Sequence, residues 1–329
     1  MSGRGLSAHG LPHHELRALV HEEILPALGA APSDRPRYVV LGGPQGSRKT
    51  TLAPLVAEQL GMSQAVRLEG DDLLSFHPHH DGLVQRTGST FEATKMIASD
   101  HEFLYLETVT QLRKMRADVM AVGPYARADF AIPRLAEFRD AGYRTEFATT
   151  ALHPALTELG VLHRHIQGHG MLAPLDLQKR ITALMPQTMT EIERIGAADA
   201  LHVVGATGVT FSKDRQGDGS WVPRTPIAEA IETTRSVPWS HQVRADFMRR
   251  RQEVQHGRGE GWSERLASVD RLAAPMLGTV ADAAARDTTR LAALSFPDTA
   301  QRATESAPEA QTPSPPTREA PGHSFGTEL

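Results

Sequence analysis

The feature that most constrains the fold is an apolar run that breaks into a glycine-rich turn ending in Lys-Thr. The run covers residues 38–41, and the turn and its continuation comprise Gly42, Gly43, Pro44, Gln45, Gly46, Ser47, Arg48, Lys49, Thr50 and Thr51. The apolar run predicts a buried parallel strand, and the turn presents backbone N–H groups to a polyphosphate where a helix begins. The pattern therefore predicts a phosphate-binding P-loop. The alternative is a strand–turn–helix connection that binds nothing, but this glycine and lysine spacing is rarer by chance than a lone glycine pair.

The side chains of this turn have distinct predicted roles within an ATP-binding segment that covers residues 43–51. Lys49 is expected to reach the β- and γ-phosphates, and Thr50 is expected to place its hydroxyl on Mg²⁺. Arg48 stands where the usual pattern has a second glycine next to the lysine. A loop that needs a positive φ at this position would be strained, because only glycine adopts it without cost.

Composition excludes several classes of function. The chain has 329 residues, 40% of them hydrophobic, and 35 basic against 39 acidic side chains, with a net charge of −4. No continuous basic block is present, so nucleic acid is not an expected partner. The absence of cysteine excludes disulfides, thiol nucleophiles and thiolate metal sites. No apolar run could span a bilayer and residues 1–12 lack the order of a secretion signal, so we expect a cytoplasmic protein without membrane contact.

Strand and helix signals alternate along the chain, which predicts a doubly wound α/β fold with a parallel sheet. Strands are predicted at 38–42, 65–69, 118–123, 143–152 and 201–204, and the main helices at 49–60, 91–115, 130–140, 154–166 and 175–195. The predicted organisation is a helical N-terminal segment 1–34, a P-loop kinase domain 35–213, a helical appendage 214–296 and a disordered tail 297–329. Within the appendage, helices are expected at 243–254, 262–279 and 281–294.

Three carboxylates follow the second predicted strand, namely Glu69, Asp71 and Asp72. In an open α/β sheet, ligands bind at the carboxyl ends of the strands, and we expect this strand to neighbour the P-loop strand. One carboxylate could then accept the proton of an attacking hydroxyl, while another holds the water shell of Mg²⁺. The alternative is that Asp71 and Asp72 only cap the following turn.

Taken together, these motifs resemble the zeta toxin family of P-loop kinases. The P-loop is followed after about twenty residues by Gly-Asp-Asp-Leu-Leu-Ser-Phe-His-Pro-His-His at 70–80, and Asp71 lies six residues before His77. The segments Ala-Gly-Tyr-Arg at 141–144 and Gly-Val-Leu-His-Arg-His at 160–165 also look like this family. The resemblance covers roughly residues 35–213.

The resemblance implies ATP-dependent phosphorylation of the 3′-hydroxyl of the sugar in UDP-N-acetylglucosamine, with ATP and Mg²⁺ as cofactors and a possible antitoxin partner. It implies that Asp71 is the catalytic base, with Asp72 as the fallback, and that Arg164 contacts the nucleotide phosphates. The residues expected on the substrate side are Glu69, Asp72, His77 and Arg127.

The chain departs from the family pattern on the acceptor side. Where the family usually carries Glu-Gly-Thr to hold the amino sugar, this chain has Val122-Gly123-Pro124. A second arginine expected after Arg164 is absent from residues 167–171. Three functions therefore stay open: a nucleotide-sugar kinase, a kinase for another hydroxylated metabolite or antibiotic, and a nucleotide-binding regulatory protein.

Overall fold

A computed structural model describes residues 10–167, 175–257 and 262–277, and in these residues seven strands form one sheet. The strands are β1 Arg37–Gly42, β2 Val66–Glu69, β3 Val119–Val122, β4 Arg144–Thr150, β5 Ala200–Gly205, β6 Gly208–Arg215 and β7 Trp221–Val222. Their order is β2-β3-β1-β4-β5-β6-β7. The first five strands run parallel, while β6 and β7 add an antiparallel hairpin at one edge. The predicted α/β fold with a largely parallel sheet is thus confirmed.

Helices connect the strands and flank the sheet. They are α1 His13–Leu19 and α2 Leu25–Leu28, joined by a π-helical turn Val20–Ile24; α3 Lys49–Gln59; a 3₁₀ segment Gly70–Phe76; α4 His80–Thr87; α5 Thr90–Met96; α6 Ala98–Lys114; α7 Ala128–Asp140; α8 Pro154–Ile166; α9 Leu175–Ile195; α10 Ile227–Ser236; α11 His241–His256; and α12 Trp262–Leu277. Among the described residues, no helix combines the length and the hydropathy that a membrane span requires.

The sheet is buried on both faces, as the apolar run of β1 requires. Tyr38 and Val40 belong to a cluster on one face, whereas Val39 and Leu41 belong to a second cluster that also contains residues of α3. This division follows from the strand itself, because successive side chains point to opposite faces. Leu16 of α1 is fully buried in the first cluster, and α1 packs against α6.

The C-terminal helices pack on α8. Leu159 and Leu162 of α8 share a separate apolar cluster with Trp239, Phe247 and Leu266. Helix α8 follows β4, and β4 pairs directly with β1, the strand that leads into the P-loop. The cluster therefore lies near the P-loop. The appendage is therefore in contact with the element that flanks the predicted nucleotide site.

Several expectations need correction. β2 does not neighbour the P-loop strand, because β3 pairs with both β1 and β2 and lies between them. The helix expected over 91–115 is two helices, α5 and α6, since Ile97 between them has φ −120° and ψ 22°. The predicted strand 201–204 is not the last one, because β6 and β7 follow it.

The predicted domain boundary at 213/214 falls inside β6. The polar cluster 216–220 that suggested it is the hairpin turn between β6 and β7, where the backbone N–H of Gln216 donates to the carbonyl of Ser220 over 2.7 Å. A polar turn ends a strand but need not end a domain. The helix expected at 281–294 and the tail 297–329 lie outside the described residues.

Candidate active site

The P-loop joins β1 to α3 and lies directly against α8. A Cβ at Gly46, which has φ +73°, would stand 2.2 Å from the carbonyl oxygen of Thr157. A Cβ at Gly160 would stand 2.3 Å from the carbonyl oxygen of Gly46. Both distances are far below van der Waals contact, so glycine at both positions is what lets the loop and the helix approach.

Side chains from β4 and α9 fix the loop further. Ser47 Oγ donates to the carbonyl of Pro44 over 2.8 Å, and Thr150 Oγ1 donates to Ser47 Oγ over 2.8 Å. The amide nitrogen of Gln178 donates to the carbonyl of Gln45 over 2.6 Å. These bonds satisfy the carbonyls of Pro44 and Gln45 and fix the hydroxyl of Ser47. Backbone N–H groups at such a loop and helix start are the donors that a phosphate would meet.

The side chain of Lys49 folds back onto the loop. Its Nζ donates to the carbonyl oxygens of Gly43 and Pro44, each over 2.8 Å. Burial lowers the pKa of Lys49 to about 8; the Glu69 carboxylate opposes this shift and the charge of Arg164 adds to it. The ammonium group is therefore incompletely compensated, which is typical of a group that awaits an anionic ligand.

Thr50 and Glu69 bring together the oxygen ligands that Mg²⁺ prefers. Thr50 Oγ1 donates to Glu69 Oε2 over 2.9 Å, which links the end of β2 to the start of α3. Glu69 Oε1 is buried without a hydrogen bond, and burial raises the pKa of this carboxyl group although the bond from Thr50 lowers it. The same oxygen lies 3.7 Å from Nε of Arg67, an ion pair too long for a hydrogen bond. A hydroxyl and a carboxylate are of the chemical type that binds Mg²⁺.

No group of three or more potential metal ligands exists among residues 10–167, 175–257 and 262–277. Mg²⁺ is commonly held by one or two protein oxygens, with water and substrate phosphates completing its shell. Thr50 and Glu69 are the residues that would hold such an ion here.

Asp71 and Asp72 open the 3₁₀ segment that follows β2, and both side chains are exposed. Asp71 is near enough to Lys49 for its charge to raise the pKa of that lysine. Nε2 of His101, from α6, lies 2.7 Å from the carbonyl oxygen of Gly70 and fixes the start of the segment. Because this segment has no side-chain capping hydrogen bond, the capping alternative has no support. Asp71 is thus exposed near Lys49.

Arg164 is exposed on α8 and close enough to Lys49 to affect its pKa. Within the described part of the chain Arg164 forms no ion pair or hydrogen bond. Its position beside the P-loop fits the phosphate contact that sequence predicted. Thr51, on α3, is exposed as well.

Two predicted substrate residues have partners elsewhere in the protein. His77 is 2% exposed, and its Nε2 lies 3.1 Å from Oδ2 of Asp100, which also accepts the backbone N–H of Leu11 over 2.7 Å. His77 is thus a structural link to the N-terminal segment, so its prediction as a substrate residue needs correction. Arg127 is largely exposed and pairs with Asp129 at the start of α7.

The acceptor side is apolar where the family pattern is polar. Val122, the last residue of β3, is 6% exposed and packs in the apolar cluster that includes Leu52 and Ala148. The carbonyl of Pro124 accepts the backbone N–H of Gly43 over 3.1 Å. This segment therefore supports the P-loop backbone and offers no carboxylate to a sugar.

Sequence reasoning missed four residues that shape the site, namely Thr150, Gly160, Gln178 and, in the appendage, Asp246. Gly160 was visible as a glycine inside an apolar helical pattern, which often marks a close backbone approach. The other three act through tertiary contacts, and no local pattern in the sequence indicates them.

A largely parallel sheet that carries a lysine-bearing glycine loop and a carboxylate edge defines a P-loop protein of the kinase type. The family model for zeta toxin matches residues 25–218, which is more than half of the chain. The chain belongs to the zeta toxin family.

A solved structure at low sequence identity shares the fold. A structure from the PezAT chromosomal toxin–antitoxin system of Streptococcus pneumoniae superposes with a TM-score of 0.58 at 19% identity, covering 79% of this chain and 98% of that chain. A structure of AvrRxo1-ORF1:-ORF2 with ATP gives a TM-score of 0.49 at 17% identity, covering 79% of this chain and 88% of that chain. No curated protein sequence matches the chain.

Proposed function

We propose that the protein is an ATP-dependent kinase that phosphorylates a sugar hydroxyl, with UDP-N-acetylglucosamine or a related nucleotide-sugar as the acceptor. The observation that carries this proposal is the meeting of Lys49, the Thr50–Glu69 pair and Asp71 at one edge of the sheet. Phosphoryl transfer depends mainly on positioning and on neutralised charge, and this edge provides both.

Each residue has one task in the proposed reaction. Lys49 leaves the loop carbonyls and neutralises the β- and γ-phosphates, and Arg164 adds a second positive charge from α8. Asp71 accepts the proton of the attacking hydroxyl. Thr50 and Glu69 would hold Mg²⁺, whose positive charge would offset the charge of the phosphates.

The ATP-binding role of residues 43–51 rests on the same geometry. The glycines let the loop approach α8, and the bonds from Ser47 and Thr150 hold the loop in place. A glycine-rich loop that leads into a helix N-terminus commonly binds anions.

A kinase for another hydroxylated metabolite or an antibiotic is the second candidate, and Val122 favours it. Because this side chain is buried in the core, it cannot take over the sugar contact of the carboxylate that the family usually carries. Arg127 and Asp72, both exposed, are the acceptor-side groups that remain. A regulatory protein that binds nucleotide without transferring phosphate is the third reading.

An antitoxin partner and a cytoplasmic location belong to the same proposal. The toxin–antitoxin system named for the S. pneumoniae structure supports the first, and a nucleotide-sugar precursor of the cell wall as acceptor supports the second.

The test follows the γ-phosphate of labelled ATP in the presence of UDP-N-acetylglucosamine, other nucleotide-sugars and aminoglycosides. The Lys49→Ala variant serves as the background control. Transfer to a nucleotide-sugar by the wild type alone would support the first candidate, and transfer only to another acceptor would support the second. ATP binding without transfer to any acceptor would contradict the kinase proposal and favour the regulatory protein.

A further inference from the structure

The P-loop of this chain carries an arginine in a backbone conformation that suits glycine. Arg48 has φ +62° and ψ 24° and directly precedes Lys49 at the start of α3. A left-handed conformation at a residue with a Cβ is strained, and such strain persists where the surrounding structure enforces it and tends to occur at functional sites. We therefore expect the side chain of Arg48 to make an interaction that justifies this strain.

The side chain of Arg48 points to the appendage. Its Nη1 lies 3.6 Å from Oδ2 of Asp246 on α11. That distance is an ion pair but too long for a hydrogen bond, and Nε of Arg48 is buried without a hydrogen-bond partner. The guanidinium thus keeps donors that no described group uses.

The single carboxylate of Asp246 faces three arginine side chains, so it cannot neutralise all of their positive charge. Its Oδ1 accepts a hydrogen bond from Arg249 over 2.6 Å, and its Oδ2 lies 3.0 Å from Nε of Arg250 as well as facing Arg48. Arg249 has a second partner in Glu253, whereas Arg48 and Arg250 share a single carboxylate oxygen. Two guanidinium groups on one oxygen leave a local surplus of positive charge beside the P-loop.

Burial and the charge of Arg250 both lower the pKa of Arg48, and Asp246 only partly opposes them. An additional anion at this place would remove the imbalance. The anion that a P-loop brings there is a phosphate of the bound nucleotide, since the backbone of Arg48 is part of the loop that encloses it.

We propose that Arg48 is a phosphate-binding residue of this chain. In the free protein its guanidinium pairs with the Asp246 carboxylate, and in the nucleotide complex it binds a phosphate of the nucleoside triphosphate instead. Carboxylate and phosphate are both oxyanions that arginine binds through the same N–H groups. Helix α11 lies beyond residues 25–218, so the appendage takes part in the nucleotide site. This inference rests on the proposed function.

The competing explanation is that the Arg48–Asp246 contact only fastens α11 to the core. The two explanations predict opposite results for removal of the carboxylate charge. If Asp246 competes with phosphate, its loss frees Arg48 and tightens nucleotide binding. If Asp246 only fastens the helix, its loss leaves nucleotide affinity unchanged or weaker.

The experiment is calorimetric titration of the full chain with ATP and AMP in the presence of Mg²⁺. Arg48→Gly restores the glycine that the backbone prefers but removes the guanidinium, and we expect about tenfold weaker ATP binding with little change for AMP. Arg48→Lys keeps the charge and should lose less than Arg48→Gly. Asp246→Asn should tighten ATP binding about threefold, because the ion pair between Arg48 and a competing carboxylate is lost. Arg249→Ala is the matched control, since it touches the same carboxylate from an exposed position, and should leave affinity unchanged.

Equal ATP affinity of Arg48→Gly and wild type would overturn the inference, and so would unchanged or weaker binding by Asp246→Asn. If Asp246→Asn does not fold, the comparison of Arg48→Gly with Arg48→Lys decides alone. The proposed function is tested separately by Lys49→Ala: its failure would show as a wild type that does not bind ATP, or as equal affinities of wild type and Lys49→Ala. Loss of binding in Lys49→Ala with no change in Arg48→Gly would overturn only the role of Arg48.

Discussion

Charged side chains have opposite electrostatic environments at the two ends of the parallel strands. We call the side where these strands begin the amino edge, and the side where they end the carboxyl edge. At the amino edge, Glu146 is 1% exposed and accepts from Arg37 Nη2 over 2.6 Å and from Arg144 Nε over 3.0 Å, and its other oxygen lies 2.8 Å from Nε2 of His202. Burial alone would raise the pKa of Glu146, but the bond and charge of His202 and the charge of Arg37 lower it to about 2. The charged form is thus strongly favoured by its neighbours.

At the carboxyl edge, the charged forms are disfavoured. Burial lowers the pKa of Lys49 to about 8 and raises the pKa of Glu69. Both shifts mean that folding costs free energy at these groups, whereas folding gains free energy at Glu146. We infer that the amino edge serves stability and the carboxyl edge serves ligand binding. Groups whose charged form is disfavoured are common at functional sites, where stability is given up for activity.

The largest expected effect is at Asp71. Asp71→Asn removes the group that accepts the proton, so phosphoryl transfer should fall about 10²- to 10⁴-fold while ATP affinity stays the same. Initial rates with the best acceptor of the panel measure the loss, and Asp72→Asn is the matched control. A loss in Asp72→Asn but not in Asp71→Asn would move the base by one residue.

A smaller effect, and on stability alone, is expected at the amino edge. Glu146→Gln leaves Arg37 and His202 without their buried partner, so the free energy of unfolding at pH 7 should fall by about 2–4 kcal/mol. The difference from wild type should shrink as pH falls from about 4.5 to about 2, because the depressed pKa of Glu146 contributes stability only while the group is ionised.

Denaturant unfolding measures this change, and Glu92→Gln, which disrupts an exposed pair with Lys95, should cost less than about 1 kcal/mol. ATP affinity should be unchanged in both variants. A large loss of ATP affinity in Glu146→Gln would break the division between the two edges.

The smallest effect is the pH dependence of ATP binding. Because burial lowers the pKa of Lys49 to about 8, its amine is protonated at pH 7 and becomes neutral as the pH rises above 8. ATP affinity should therefore fall by up to about tenfold for each pH unit above 8. Calorimetry from pH 7 to 9.5 would show it, and in Lys49→Arg the slope should vanish because arginine stays charged. An identical slope in both proteins would assign the titration to another group.

Local signals predicted much of the fold. The P-loop strand and helix, and the helices now described as Pro154–Ile166 and Leu175–Ile195, agree with expectation because their apolar periodicity is strong. β6 and β7 were missed, since an edge hairpin has mixed burial and a polar turn that resembles a domain boundary. The expected pairing of β2 with the P-loop strand was also wrong, because β3 lies between them. Which strands pair depends on tertiary contacts that local sequence patterns do not show.

The same division applies to the site. The motif spacing predicted Lys49, Thr50 and Asp71, and in the structure Thr50 bonds to Glu69 while the charges of Glu69 and Asp71 act on Lys49. His77 was placed on the substrate side because its motif is local, whereas its burial depends on Asp100, 23 residues away. The contact of Arg48 with Asp246 joins residues that are far apart in the chain, so no spacing rule could have predicted it.

The central claim is that the carboxyl edge gives up stability for ATP binding, and unfolding of wild type and Lys49→Met with and without ATP and Mg²⁺ tests it most directly. Lys49→Met removes the unfavourable buried charge and should be at least as stable as wild type without nucleotide. ATP at about 100 times its Kd should stabilise the wild type by about 2.7 kcal/mol and leave Lys49→Met nearly unchanged. Equal stabilisation of both proteins by ATP, or a marked loss of stability in Lys49→Met alone, would contradict the claim.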